Sequence, residues 1–83
     1  MMDGIFIDKD GNILNLRYVT KITKYTMEHD ETVIKAYLKD EDKSFYITTR
    51  KGLSELEIEN ALKNLGELLE NGKTVIHEEE LYK

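Results

Sequence analysis

Cysteine and proline are both absent from this chain, and histidine and serine occur only twice each. Without cysteine there is no disulfide, no thiolate zinc site and no cysteine nucleophile. That absence fits a reducing compartment. Without proline, no residue removes a donor from a strand ladder, so consecutive strands are compatible with the whole chain. Long apolar runs are missing as well. None approaches the roughly 18–20 residues that a membrane-spanning helix needs. The opening "MMDGIFIDKDG" lacks the basic and apolar regions of a secretory signal. These absences lead us to expect a cytoplasmic protein with no membrane association.

What remains is 83 residues, enough for one domain, 1–83, near the lower limit for folding without staples. A chain of this size buries roughly 60–65% of the surface its unfolded form exposes. Its formal charge of −5 is spread unevenly. From Arg17 to Lys51 there are eight Lys/Arg against six Asp/Glu; from Gly52 to Lys83 there are three Lys against eight Glu. The middle is therefore mildly basic and the last third acidic. A field that weak argues against non-specific nucleic-acid binding by the whole surface.

Short strands dominate the first fifty residues. "GIFID" (Gly4–Asp8) and "NILNL" (Asn12–Leu16) flank a glycine turn. "YVTKITKYTM" (Tyr18–Met27) is rich in β-branched and aromatic residues and predicts a longer strand. "TVIKAYL" (Thr32–Leu38) and "SFYITT" (Ser44–Thr49) follow, separated by polar, charged turns. The spacing predicts a four- to five-stranded antiparallel meander.

One helix is predicted from about Glu55 to Asn71. Ser54 and Glu57 form an S-x-x-E capping box, and Leu53 and Ile58 have hydrophobic-staple spacing. Ile58, Ala61, Leu62, Leu65, Leu68 and Leu69 make one apolar face, with Gly72 as a natural stop. Leu56 falls on the opposite side. "KTVIH" (Lys73–His77) predicts a short final strand, and residues 78–83 read as an acidic C-terminal tail. The expected fold is thus α+β, a meander with one amphipathic helix packed on one face.

"DKDG" invites comparison with a calcium loop, which needs oxygen ligands at positions 1, 3, 5 and 12 and glycine at 6. With Gly11 at position 6, the first and last anchors fall on Phe6 and Arg17, one apolar and one cationic. The stretch predicts a hairpin turn and no metal site.

The ingredients of catalysis are equally sparse. Ser54 is used by the helix cap, and Ser44 opens a strand. His29 in "EHDE" and His77 in "HEEE" have neither a nucleophile nor a second histidine beside them. The five glycines are scattered, which leaves no phosphate loop. We expect no enzymatic activity and no cofactor.

The aromatic residues are the more informative set. Tyr18, Tyr25, Tyr37 and Tyr46 fall in the strand region near Lys24, Lys35 and Arg50. Alternation should place part of this set on the sheet face that the helix leaves open. Such a face suits a protein interface, where Tyr and Arg are favoured anchors. It suits a single-stranded nucleic-acid platform less well, since no RNA-recognition motif accompanies it. An apolar patch formed by Val19, Ile34 or Phe45 on the same open face would favour a homodimer through that face or an edge strand. Glu55, Glu59, Glu67 and Glu70 on the helix form a second, acidic candidate surface for a basic partner.

The stretch "DGNILNLRYVTKITKY" resembles a pattern met in small bacterial and phage proteins: a glycine turn, then "NL", then a strand ending in a charged hairpin. A helix after the meander belongs to the same look. The resemblance covers residues 4 to 70 and implies architecture and a mobile-element origin, with no site residue transferred. The function expected is that of a small adaptor or inhibitor acting on a protein partner.

Overall fold

A computed structural model describes residues 3–40 and 42–83. Six strands and one helix are present among them: β1 (Ile5–Ile7), β2 (Ile13–Asn15), β3 (Val19–Thr26), β4 (Thr32–Leu38), β5 (Ser44–Tyr46), α1 (Glu55–Glu70) and β6 (Val75–His77). The fold is α+β as the sequence predicts, but the strands form two sheets rather than one meander. One sheet has the order β2-β1-β6 and the other the order β3-β4-β5.

The break falls at Leu16–Tyr18, which form a single 3-10 turn capped by the Asn15 side chain, a 3.0 Å acceptor for the Arg17 N–H. Leu16 turns fully into the core there, which redirects the chain before β3 begins. The first sheet is completed from the far end of the sequence. β6 adds parallel to β1, with Phe6 beside Ile76 in register. Gly4 permits that junction. Its φ is +104°, and a Cβ there would stand 2.4 Å from the Thr74 carbonyl oxygen. That same carbonyl accepts the Ile5 N–H at 2.8 Å.

The β1–β2 connection is the predicted turn. Asp8 is buried, and its carboxylate accepts the N–H groups of Asp10 and Asn12 and the Asn12 side-chain amide. Gly11 supplies the left-handed residue, at φ +87°. An aspartate holding three donors within its own loop is organised for a turn. Among the described residues no group of three or more potential metal ligands converges anywhere.

The helix begins as expected. The Ser54 hydroxyl oxygen accepts the Glu57 N–H at 3.1 Å, and the Glu57 carboxylate accepts the Ser54 N–H at 2.9 Å. Ile58, Ala61 and Leu65 are its buried residues, and Leu53 packs beside them. They meet Phe6, Leu14 and Ile76 from the first sheet and Ile34, Ala36 and Ile47 from the β4–β5 region in one core. Phe6 and Phe45 join the two sheets edge to face, with ring centroids 6.3 Å apart. No helix among the described residues is long and apolar enough to cross a membrane.

Residues 78–83, read from the sequence as an acidic tail, pack onto the rest of the chain. Glu78–Tyr82 form a 3-10 turn in which Leu81 is fully buried and Glu78 is only 1% exposed. The Asn64 side-chain amide of α1 donates to the carbonyls of Leu81 and Lys83, at 2.8 and 2.9 Å. A run of glutamates carries no periodic signal, but one of the three has a buried set of donors waiting for it.

Candidate functional site

β3, β4 and β5 are antiparallel, so alternate residues of each share one face. Register places Lys21 beside Tyr37 and Ser44, Thr23 beside Lys35 and Tyr46, and Tyr25 beside Val33. The face turned away from α1 is therefore built from rows of lysine, tyrosine and threonine. Lys35 stands at its centre. Its ammonium lies 4.1 Å from the ring centroid of Tyr25, 5.0 Å from that of Tyr37 and 5.8 Å from that of Tyr46. Lys21, paired with Tyr37 across the strands, lies 4.7 Å from the same ring's centroid. Each contact is within the range at which a cation is held by an aromatic quadrupole.

These side chains order one another. Tyr37 and Lys35 are half-buried by their neighbours, whereas Tyr46 remains 43% exposed at the rim. No acidic residue falls in the paired rows of this face, so two ammonium groups and three phenol hydroxyls set its character.

The structure gathers four of the seven residues expected to form the interaction surface: Tyr25, Lys35, Tyr37 and Tyr46. It separates the other three. Lys24 lies on the opposite side of β3, where its ammonium meets Glu55 at 2.8 Å and Glu59 at 3.1 Å. Strand alternation turns it there, because its neighbours Thr23 and Tyr25 occupy the tyrosine face. Tyr18 is exposed in the 3-10 turn before β3, and its carbonyl accepts the Lys39 N–H at 2.9 Å. Arg50 lies beyond β5 and stacks its guanidinium 4.0 Å from the ring centroid of Tyr82.

The acidic surface is also divided. Hydrogen bonding to Lys24, reinforced by its charge, holds the Glu55 carboxyl below the ordinary carboxylate range, and both carboxylates raise Lys24. Glu55 and Glu59 are thus committed to the sheet. Glu67 and Glu70 lie further along the exposed side of α1.

The expected apolar patch is absent from the tyrosine face. Val19 and Ile34 are buried and Phe45 is packed against the core, because the register turns Ile34 and Phe45 toward α1. Apolar exposure lies instead at Leu56 on α1 and on the outer side of the first sheet, where Ile13 is 63% exposed and shares a face with Ile5, Ile7 and Val75.

Sequence reasoning missed the cluster around Glu78. One carboxylate oxygen accepts the Lys9 N–H at 2.9 Å, and the other accepts the Thr49 N–H at 2.8 Å. The Thr49 hydroxyl donates at 2.8 Å, and the Tyr82 hydroxyl donates as well. Burial alone would push this carboxyl up. The hydrogen bonds from Tyr82, from the Thr49 and Lys9 backbone and from the Thr49 hydroxyl outweigh it and hold the group below its ordinary value. The arrangement fastens three chain segments together through one carboxylate. Nothing in "HEEELYK" signals this role, since the donors come from Lys9 and Thr49, far away in sequence.

Comparison with known proteins adds no relative: no family model matches the sequence, and neither a characterised protein nor a solved structure matches it significantly.

Proposed function

We propose that this chain is a small non-catalytic binding protein, and that the tyrosine–lysine face of the β3–β4–β5 sheet is its contact surface for an acidic protein partner. The observation that carries this reading is the position of Lys35 among three tyrosine rings. A preordered cation ringed by amphipathic aromatics loses little side-chain freedom when a carboxylate docks on it. Tyrosine also supplies large contact area with a hydroxyl handle, as interface anchors do. A single-stranded nucleic acid fits less well. Base stacking needs an open ring face, and here lysine ammonium groups already lie against the rings.

The test is a tagged pull-down from the cells that encode the protein, at low and physiological salt, analysing protein and nucleic acid in the eluate. We expect a stoichiometric protein that is retained by wild type and lost with Lys35→Glu and with Tyr46→Ala, both variants remaining folded by circular dichroism. A partner held equally by both variants would overturn the assignment of this face. Salt-labile nucleic acid without a protein companion would replace the partner class.

A further inference from the structure

We infer that the channel between the free edge of β3 and the flank of α1 is a second binding site, which takes an extended segment of another protein as an added β-strand. β3 is an edge strand of its sheet and, at eight residues, the longest strand among the described residues. Met27 donates its N–H to the Glu31 carbonyl at the base of the β3–β4 hairpin. Antiparallel alternation from that bond directs Tyr25, Thr23 and Lys21 to β4, and it turns the backbone groups of Ile22, Lys24 and Thr26 to the open edge. A row of unpaired donors and acceptors at an edge is a template for another strand.

Beside that edge lies a groove of about 400 Å³, lined by Thr20, Lys21 and Ile22 from β3 and by Leu62, Leu65, Gly66 and Leu69 from α1. An edge strand flanked by an apolar helix face is the arrangement in which strand addition combines main-chain bonding with side-chain pockets. Gly66 is the second, independent observation. Glycine is a poor choice for the interior of a helix, where alanine forms the same turn more favourably. Gly66 has no positive φ to require it, and a Cβ there would meet nothing within 4 Å. Among the described residues no contact accounts for it. It does keep the floor of the groove open between Leu62 and Leu69.

The chemistry of the lining selects the occupant. On the added strand, residues on the same side as Ile22 enter the groove and must be apolar. The alternate residues stand beside Lys21 and favour an acidic side chain, because Lys21 and Lys35 lie on a face whose paired rows hold no acid, whereas Lys24 is already paired with Glu55 and Glu59 on the groove side. That same bias disfavours a second copy of this chain. Two β3 edges would bring two sets of lysines together, and lysine on an open edge is a device against self-pairing. The groove and the tyrosine face meet at Lys21, which lines one and contacts Tyr37 on the other. Tyr46 lies on β5 at the far edge of the sheet, so a variant there separates the two readings.

The test uses a random 12-residue peptide library displayed on phage, selected in parallel on wild type and on Gly66→Leu. Leucine favours helix and fills the groove, and Gly66→Lys repeats the block with a soluble side chain. We expect both variants to melt at or above wild type. Peptides with apolar residues at alternating positions and acids between them should be enriched on wild type. They should bind either variant at least about tenfold more weakly, and their amide shifts should centre on Ile22, Lys24 and Thr26. Tyr46→Ala should leave that binding unchanged. Enrichment no greater on wild type than on Gly66→Leu would overturn the site. So would loss of binding in Tyr46→Ala instead, or a wild-type dimer in sedimentation that Gly66→Leu dissolves.

Discussion

The hydroxyl of Tyr82 donates to the carboxylate of Glu78, four residues earlier in the last turn of the chain. Both lie in the stretch read from the sequence as an acidic tail, and the pair closes the fold. Glu78 draws in the β1–β2 turn through Lys9 and the segment after β5 through Thr49, while Arg50 covers the Tyr82 ring.

Removing that carboxylate should be the most damaging polar substitution in the protein. Glu78→Ala leaves the N–H groups of Lys9 and Thr49 and two hydroxyls without their acceptor. Each buried unsatisfied group costs about 1–3 kcal/mol, and relaxation and water entry offset part of the sum. We expect a net loss of about 3 kcal/mol, measurable by urea denaturation. Glu78→Gln keeps the volume but presents an NH2 to donors, so it should recover less than half of the loss. Wild-type stability in Glu78→Ala would show that the cluster contributes nothing.

The same group contributes to the acid response, alongside Glu55, Glu57 and Glu80, which hydrogen bonding also holds low. Its folded-state pKa lies below the ordinary 4.5, so the folded state binds fewer protons than the unfolded one in that window. The stabilisation is therefore fully present above the ordinary value and is lost as pH falls through the depressed folded value. Glu78→Gln should flatten the acid limb of a stability–pH profile. On the alkaline side Tyr82 is raised, first by burial and then by its bond to Glu78 and the carboxylate's charge. Its contribution is present below its ordinary value of 10.0 and is lost as pH rises through the folded one. An ultraviolet titration should show one late phenol that disappears in Tyr82→Phe. If all five tyrosines of wild type titrate together, the assignment fails.

The β3–β4 hairpin turns on two left-handed residues that are not glycine, His29 at φ 65° and Asp30 at φ 61°. The left-handed region costs an ordinary L-residue roughly 1–2 kcal/mol, and less for aspartate. Asp30→Gly should therefore raise stability by up to about 1 kcal/mol, or roughly 4–8 °C in melting temperature. His29→Val places a β-branched side chain where it is least tolerated and should lower it by a similar amount. Calorimetry that moved both variants in the same direction would contradict this turn geometry.

Local signals were legible where the cause was local. The Ser54–Glu57 box and the spacing from Ile58 to Leu69 predict a helix from Glu55 to Asn71, and α1 runs Glu55–Glu70 with that cap formed. β4 occupies the predicted Thr32–Leu38. The tyrosines of β3, β4 and β5 are recognisable as a set from alternation, although alternation cannot say which lysine joins them. Lys24 and Lys35 look equivalent in the sequence. Cross-strand register puts Lys35 among three rings and sends Lys24 to the helix glutamates.

What the sequence determined alone was the helix with its cap, the span of β4, the glycine turn at Asp8–Asn12 and, from its lack of cysteine, the absence of thiol chemistry. These follow from dihedral preferences and from neighbours a few residues apart. Only the tertiary structure decided that the strands divide into two sheets, that β6 lies parallel to β1, and that Glu78 is buried rather than solvated. Each of those outcomes depends on groups separated by tens of residues: Phe6 with Ile76, Lys9 and Thr49 with Glu78. Such partners meet only when burial of a common core brings them together, and no local pattern records the meeting in advance.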